Sequence, residues 1–301
     1  MSRMDRLPPA SPCIGRCVID DSARLCTGCA RSLDEIAVWG SATDDFRAEV
    51  WAALPARGAR LGLHSRRLSW RGDRLLSETA RRLTDEGARL VAGVWGASGE
   101  LMRLADTPAS ASIGDDFLTL TVQGAALRLE ATPYLTAFEI DRPAEAPLLA
   151  LAVPQGRAFR NAARQLTALG PDEASLLTRD AGGARYDLGL GRGAARFTVR
   201  CDRDLAAYLA RCAGQPWPDH LTHVGQPLHL ASPVRVIETP CLRLEIDALI
   251  PPPDGASPDG PHTHLLPDHI AQGLDTPPTV ALPEGYVLSA LIYPPSFSPR
   301  S

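Results

Sequence analysis

The sequence predicts an α+β fold in which a small cysteine-bearing module precedes a larger mixed domain. Three observations carry that expectation. Four of the seven cysteines, Cys13, Cys17, Cys26 and Cys29, crowd into one short stretch, whereas Cys201, Cys212 and Cys241 are scattered. Segments that alternate every second residue, such as 117–122 (FLTLTV) and 126–130 (ALRLE), are interspersed with segments of helical period. Apolar residues make up 45% of the chain, enough for a sizeable core. The expected organisation is a module over 10–57, a basic linker over 58–73 and an α+β domain over 74–298.

Within the module, Ser32-Leu33-Asp34-Glu35 has the form of a capping box, so a helix should begin at Leu33. Gly40 stops it, and Thr43 caps a second helix on which Phe46, Val50 and Leu54 recur every fourth residue. Between Arg57 and Arg82 eight arginines face only Asp73 and Glu78. Arg57 to Arg71 has no clear period and reads as a solvated connector. Residues 74–90 read as an amphipathic helix ending near Gly87. Residues 89–104, 117–122, 126–131 and 135–140 read as strands, and Gln155–Leu169 as a helix closed by Gly170-Pro171. Residues 184–190 and 195–201 form an expected hairpin, followed by a short helix capped at Asp202. Strands are expected at 233–238, 241–249 and 286–293, with a proline-rich loop after Pro251.

Composition narrows the function. A net charge of −4 argues against general nucleic-acid binding. All 31 basic residues are arginine, which excludes any mechanism needing a lysine. No run of apolar residues is long enough for a membrane span, and the N-terminus lacks the apolar stretch of a signal peptide, so a cytoplasmic location is expected. Thiols stay reduced there, and clustered cysteines read as metal ligands before disulfides.

The cysteine spacing is Cys-x3-Cys-x8-Cys-x2-Cys, two short chelating loops that bring four soft sulfurs together. Gly15 and Gly28 sit inside the loops, where glycine permits turns that aim backbone amides at sulfur. Two short helices and a hairpin bury too little to fold alone, and a bound metal would supply the missing stability. Unligated packing thiols and a redox dithiol at Cys26 and Cys29 are the weaker alternatives, since no βαβ frame accompanies the pair. Thiolate ligation serves zinc and iron alike, and the choice between zinc and iron–sulfur stays open.

Ser11-Pro12-Cys13-Ile14, Cys17, Asp20, Leu25-Cys26, Gly28-Cys29, Arg31, Glu35-Ile36 and Trp39 together resemble the short bacterial YdhL-type domain, a family of unknown function described as a predicted iron–sulfur protein. The resemblance covers roughly residues 10–57 and implies a metal-binding accessory module, with no reaction attached.

In the larger part, Pro251–Pro267 reads as a stiff proline-rich loop carrying His262 and His264 two apart. In extended chain both rings fall on one side. His269 follows, and Glu245 or Asp247, just upstream, is the expected carboxylate neighbour. Solvated or backbone-bonded histidines, a metal site formed by His262, His264 and Glu245, and an acid–base or anion-binding role are the three readings. His220, His223 and His229 read as structural. Asp187–Gly191, Phe197–Cys201, the Ser257–Pro267 motif (SPxGPHTHxLP) and Tyr293-Pro294 resemble an uncharacterised bacterial family, which marks the larger part as a unit able to exist without the cysteines. Gly189-x-Gly191-x-Gly193 is expected to be turn chemistry rather than a nucleotide loop.

The leading expectation is a metal-binding accessory protein with a domain for a small molecule or protein partner. An enzyme centred on His262 and His264, and an interaction adaptor shaped by a structural metal, are the alternatives.

Overall fold

The protein is described by a computed structural model covering residues 11–295 except 95–96, 143–144, 160–162, 191–193, 217–218, 252–257 and 266–279. Among the described residues, five helices and extensive antiparallel sheets make it α+β. The N-terminal part holds a two-stranded hairpin, β1 (Ile19–Asp20) and β2 (Leu25–Cys26), then α1 (Leu33–Val38) and α2 (Asp44–Arg60). Both helices start where the caps predict. The Ser32 hydroxyl accepts from the Glu35 N–H while the Glu35 carboxylate accepts from the Ser32 N–H, and Thr43 Oγ1 accepts from the Phe46 N–H. Glu35 also pairs with Arg57 at 2.7 Å, tying α2 to α1. Ala30, Trp39, Val50 and Leu54 form a small core of their own.

The remaining elements are β3 (Ser65–Arg67), α3 (Gly72–Thr84), β4 (Arg89–Val94), β5 (Ala97–Met102), β6 (Ser110–Ile113), β7 (Phe117–Val122), β8 (Ala125–Glu130), β9 (Thr136–Arg142), β10 (Glu145–Pro154), β11 (Thr167–Pro171), β12 (Ala184–Asp187), β13 (Arg196–Cys201), α4 (Arg203–Cys212), α5 (Asp219–Ala231), β14 (Val234–Thr239), β15 (Leu242–Ile246), β16 (His262–Leu265) and β17 (Tyr286–Tyr293). The strands build two antiparallel sheets, β16-β5-β4-β17-β10-β9-β3 and β11-β12-β13-β14-β15-β8-β7-β6. Their inner faces pack together through one core that includes Leu90, Leu101, Leu149 and Ile292 from the first and Leu127, Phe197, Ile237 and Leu244 from the second. Gly99 marks a close approach: a Cβ there would lie 2.7 Å from Ile237 Cδ1. Leu75, Leu76 and Leu83 of α3 enter the same core.

The outer face of the seven-stranded sheet carries a second apolar cluster, Phe138, Ile140, Leu148, Ala150, Ala152 and Leu291, and Ile14 of the first cysteine loop packs against it. Arg67 Nη1 donates to the Cys13 carbonyl at 2.7 Å, and Arg16 pairs with Glu284. The N-terminal part is therefore seated on this sheet.

Three local expectations change. Gln155–Leu169 does not run as one helix: a single 3-10 turn covers Gln155–Arg157, and β11 begins at Thr167. β11 pairs with β12 at the sheet edge, where Pro171 is tolerated because its missing N–H faces outward. The expected connector carries β3, whose Arg66 lies opposite Glu139 and pairs with it. The proline-rich loop contains β16, a true edge strand beside β5. The Gly191–Gly193 turn and His269 lie outside the described residues.

Candidate functional site

Two groups of side chains have ligand chemistry. The first is the cysteine cluster. Gly15, at φ +89°, turns the first loop so that its N–H donates to Cys13 Sγ at 3.3 Å, and the Gly28 N–H donates to Cys26 Sγ at 3.4 Å. The loops touch at Gly28, where a Cβ would lie 2.5 Å from the Arg16 carbonyl oxygen. The second loop is closed by the hydrogen bond from Ala30 N–H to the Cys26 carbonyl and from Cys26 N–H to the Arg31 carbonyl. Arg31 is buried, stacks on Trp39 at 4.7 Å, and its Nε donates to Cys29 Sγ at 3.4 Å.

These contacts set the thiols apart electrostatically. Hydrogen bonding and negative charge from Cys26 push the exposed Cys17 thiol up. Burial also pushes Cys26 up, but N–H donors from Gly28 and Cys29 and the flanking thiols outweigh it and hold Cys26 below its ordinary range. Burial raises Cys29 against the pull of Arg31. Cys26 thus lies beside both Cys17 and Cys29.

The second group lies on the outer face of the seven-stranded sheet. His262 and His264 occupy alternate positions of β16, and register places His262 opposite Glu100 and His264 opposite Ser98 of β5. The rings share one side, with centroids 4.8 Å apart and Nε2 atoms 3.1 Å apart. Glu100 supplies the carboxylate, its oxygens 3.8 Å from His262 Nε2 and 3.7 Å from His264 Nε2. Among the described residues, this is the set whose ligand atoms all lie within 4.8 Å of one another. Arg89 Nη1 holds Glu100 Oε2 at 3.2 Å and the guanidinium lies over Tyr293. His262 is 2% exposed, and its Nδ1 contacts the Gly260 carbonyl at 2.8 Å. A carbonyl can only accept, so Nδ1 carries the proton and Nε2 the lone pair. Burial, reinforced by His262, lowers the basicity of His264.

The sequence-based choice of Glu245 is overturned. Glu245 is fully buried on the outer face of the other sheet, where it accepts from the Leu176 and Leu177 N–H groups and pairs with Arg200 and Arg243. Asp247 pairs with Arg179. The reason is topological: β15 leads toward the histidines in sequence but lies in the eight-stranded sheet, while β5 is the strand beside β16. Nothing local in the sequence around Glu100 marks it, because its partner is reached only through pairing across the sheet. His223 and His229 are exposed on α5.

Two family models divide the chain into two parts. "Protein of unknown function (DUF1289)" matches residues 11–58, and "Family of unknown function (DUF6925)" matches residues 75–299. No curated protein and no solved structure matches the chain. No described helix is long and apolar enough to cross a membrane. Since the second model spans well over half of the 301 residues, the chain belongs to the family of unknown function DUF6925.

Proposed function

We propose that the chain is a metal-binding accessory protein. In this reading Cys13, Cys17, Cys26 and Cys29, within a module over 10–57, hold one zinc or iron centre, and the two-sheet domain over 74–298 binds a small molecule or protein partner. The observation that carries it is the pair of amide-to-sulfur hydrogen bonds from Gly15 and Gly28, made by two loops packed on one another. Amides aimed at sulfur favour the thiolate, the form that ligates metal. Four thiolates around a divalent ion leave excess negative charge, and the buried Arg31 beside Cys29 offsets part of it. The donor set fits zinc or iron equally, and the metal's part is to lock the loops together. A reducing cytoplasmic setting belongs to this reading, because disulfide formation would remove the ligands.

The seating of the first loop gives the centre a route to the larger domain. A crevice of about 540 Å³ lies between Ile14, Gly15 and Arg16 on one side and Pro154, Glu284 and Tyr286 on the other. Ordering the loop by metal would set the shape of that crevice. The test is anaerobic purification of the full chain followed by metal analysis and a visible spectrum. One equivalent of zinc without colour, or iron with sulfur charge-transfer bands, supports the proposal. Metal-free protein that keeps its melting temperature in chelator refutes it.

A further inference from the structure

We infer that Glu100, His262 and His264 form a second metal site, independent of the cysteines, that takes a divalent first-row transition ion of the zinc or iron(II) class and leaves a coordination position open. The distances are those of a site needing little rearrangement. Two imidazole nitrogens each about 2.05 Å from one ion, the ordinary zinc–nitrogen length, subtend about 98° when 3.1 Å apart. That lies between octahedral and tetrahedral angles. The Glu100 oxygens, Oε1 3.7 Å from His264 Nε2 and Oε2 3.8 Å from His262 Nε2, reach a bonding position by moving about 0.3–0.7 Å.

The lone pairs already converge. With Nδ1 of His262 committed to the Gly260 carbonyl, its Nε2 is an acceptor that meets His264 Nε2. Without an ion, that contact is a single N–H to N hydrogen bond from His264. With one, the His264 proton moves to Nδ1 and both Nε2 lone pairs face the metal, so no charge is created on either ring. The Gly260 carbonyl then plays the part of the outer-shell acceptor that fixes a ligand's tautomer. Arg89 is a positioning residue: its bond to Oε2 turns Oε1 toward His264.

The frame beneath is rigid. Thr263, between the two histidines, points the other way into the sandwich and is fully buried, and its hydroxyl accepts from Arg235 Nε at 3.1 Å. The outer side is open: the His264 side chain keeps 21% of its exposure and Arg89 keeps 37%. Two histidines and one carboxylate with an open side are the donor set of exchangeable or catalytic centres, in contrast to a closed four-sulfur set. Nitrogen and oxygen donors also separate it from the cysteines by ligand softness.

The test is calorimetric titration of the full-length protein, bearing its natural complement of metal, with zinc alone, alongside Glu100→Gln, His264→Ala and a Cys26→Ser/Cys29→Ser variant. The expected result is one zinc equivalent in the wild type that weakens at least tenfold in Glu100→Gln and His264→Ala and persists in the double cysteine variant. Cobalt(II) added to the same wild-type protein should give visible d–d bands with no new sulfur charge transfer, a readout that needs no variant. Absence of the equivalent in the wild type, its retention in both Glu100→Gln and His264→Ala, sulfur charge transfer with cobalt, or its loss in the cysteine variant overturns the inference. The last arm separates this site from the thiolate centre, whose own failure leaves the zinc isotherm of the histidine site unchanged.

Discussion

Glu245→Gln tests whether this glutamate holds the fold or serves a site. Six side chains form the ion-pair network around it, Glu245, Asp172 and Glu238 against Arg200, Arg243 and Arg185, with Glu238 and Arg185 at its half-buried edge. The charges balance three to three. Glu245 and Arg200 have fully buried side chains, and Asp172 is 2% exposed. The amide replacement leaves one cation in excess. It also faces one of the Leu176 and Leu177 N–H donors, both now bonded at 3.0 Å, with an NH₂ group that cannot accept. Breaking a buried ion pair by removing one partner costs about 3–5 kcal/mol. At about 2–4 °C per kcal/mol for a domain of this size, the melting temperature should fall by roughly 6–20 °C. Thermal unfolding followed by circular dichroism reads this directly, and zinc titration of the folded variant at low temperature should match the wild type. A loss below about 1 kcal/mol would refute the structural role. An unchanged melting temperature with lost zinc binding would return Glu245 to the metal site.

Three further outcomes are expected. Gly28→Ala places a Cβ 2.5 Å from the Arg16 carbonyl, so the cysteine loops must part, and metal affinity of the thiolate centre should fall about 10–100-fold by competition with a chromophoric chelator. Thr263→Val keeps the shape of β16 but strips Arg235 Nε of its acceptor in a fully buried setting, which should cost about 1–3 kcal/mol in urea unfolding; no change in midpoint would mean that Arg235 does not anchor the strand. Burial works to raise the Asp172 carboxyl, but Arg200, Arg243 and Arg185 outweigh it and hold it below its ordinary value of 3.8. Its stabilisation is therefore present above that value and lost as pH falls through the lower folded one, so Asp172→Asn should flatten the acid limb of a stability–pH curve that stays steep in the wild type.

The sequence was informative where structure is set by neighbours in the chain. Ser32 with Glu35, Thr43 and Asp202 all cap the helices they mark. The expected hairpin of 184–190 and 195–201 located β12 and β13, and alternation located β7 and β8, each with one face on the core and one facing outward. It failed at β10, where Leu148 to Val153 is uniformly apolar. That strand is central in its sheet, with one face in the sandwich core and the other under the second apolar cluster, so both sides are dry and no period survives. Edge strands hid for the opposite reason. β11 and β16 adjoin prolines that tolerate an edge but punctuate the sequence like a loop.

The same division explains the site. That His262 and His264 share a side followed from the two-residue period alone, and β16 satisfies it. Their carboxylate could not be found that way. Proximity in sequence favoured Glu245, because the strand ending nearby was taken to lie nearby, yet in a sandwich consecutive strands often belong to opposite sheets. β15 enters the eight-stranded sheet and β16 the seven-stranded one, and the chain crosses between them after Asp247. The acid that faces the histidines is supplied by β5, itself held by β4 through Arg89. Ligand residues two apart on one strand are thus a local signal, but the third ligand is a property of strand order. A buried Arg200 whose forked donors reach Asp172, Glu245 and the Leu177 and Arg179 carbonyls claims the acid that sequence distance had offered. Glu245 is unavailable to a metal because its oxygens already meet two arginines and two backbone amides, whereas Glu100 has one arginine and faces two imidazole nitrogens.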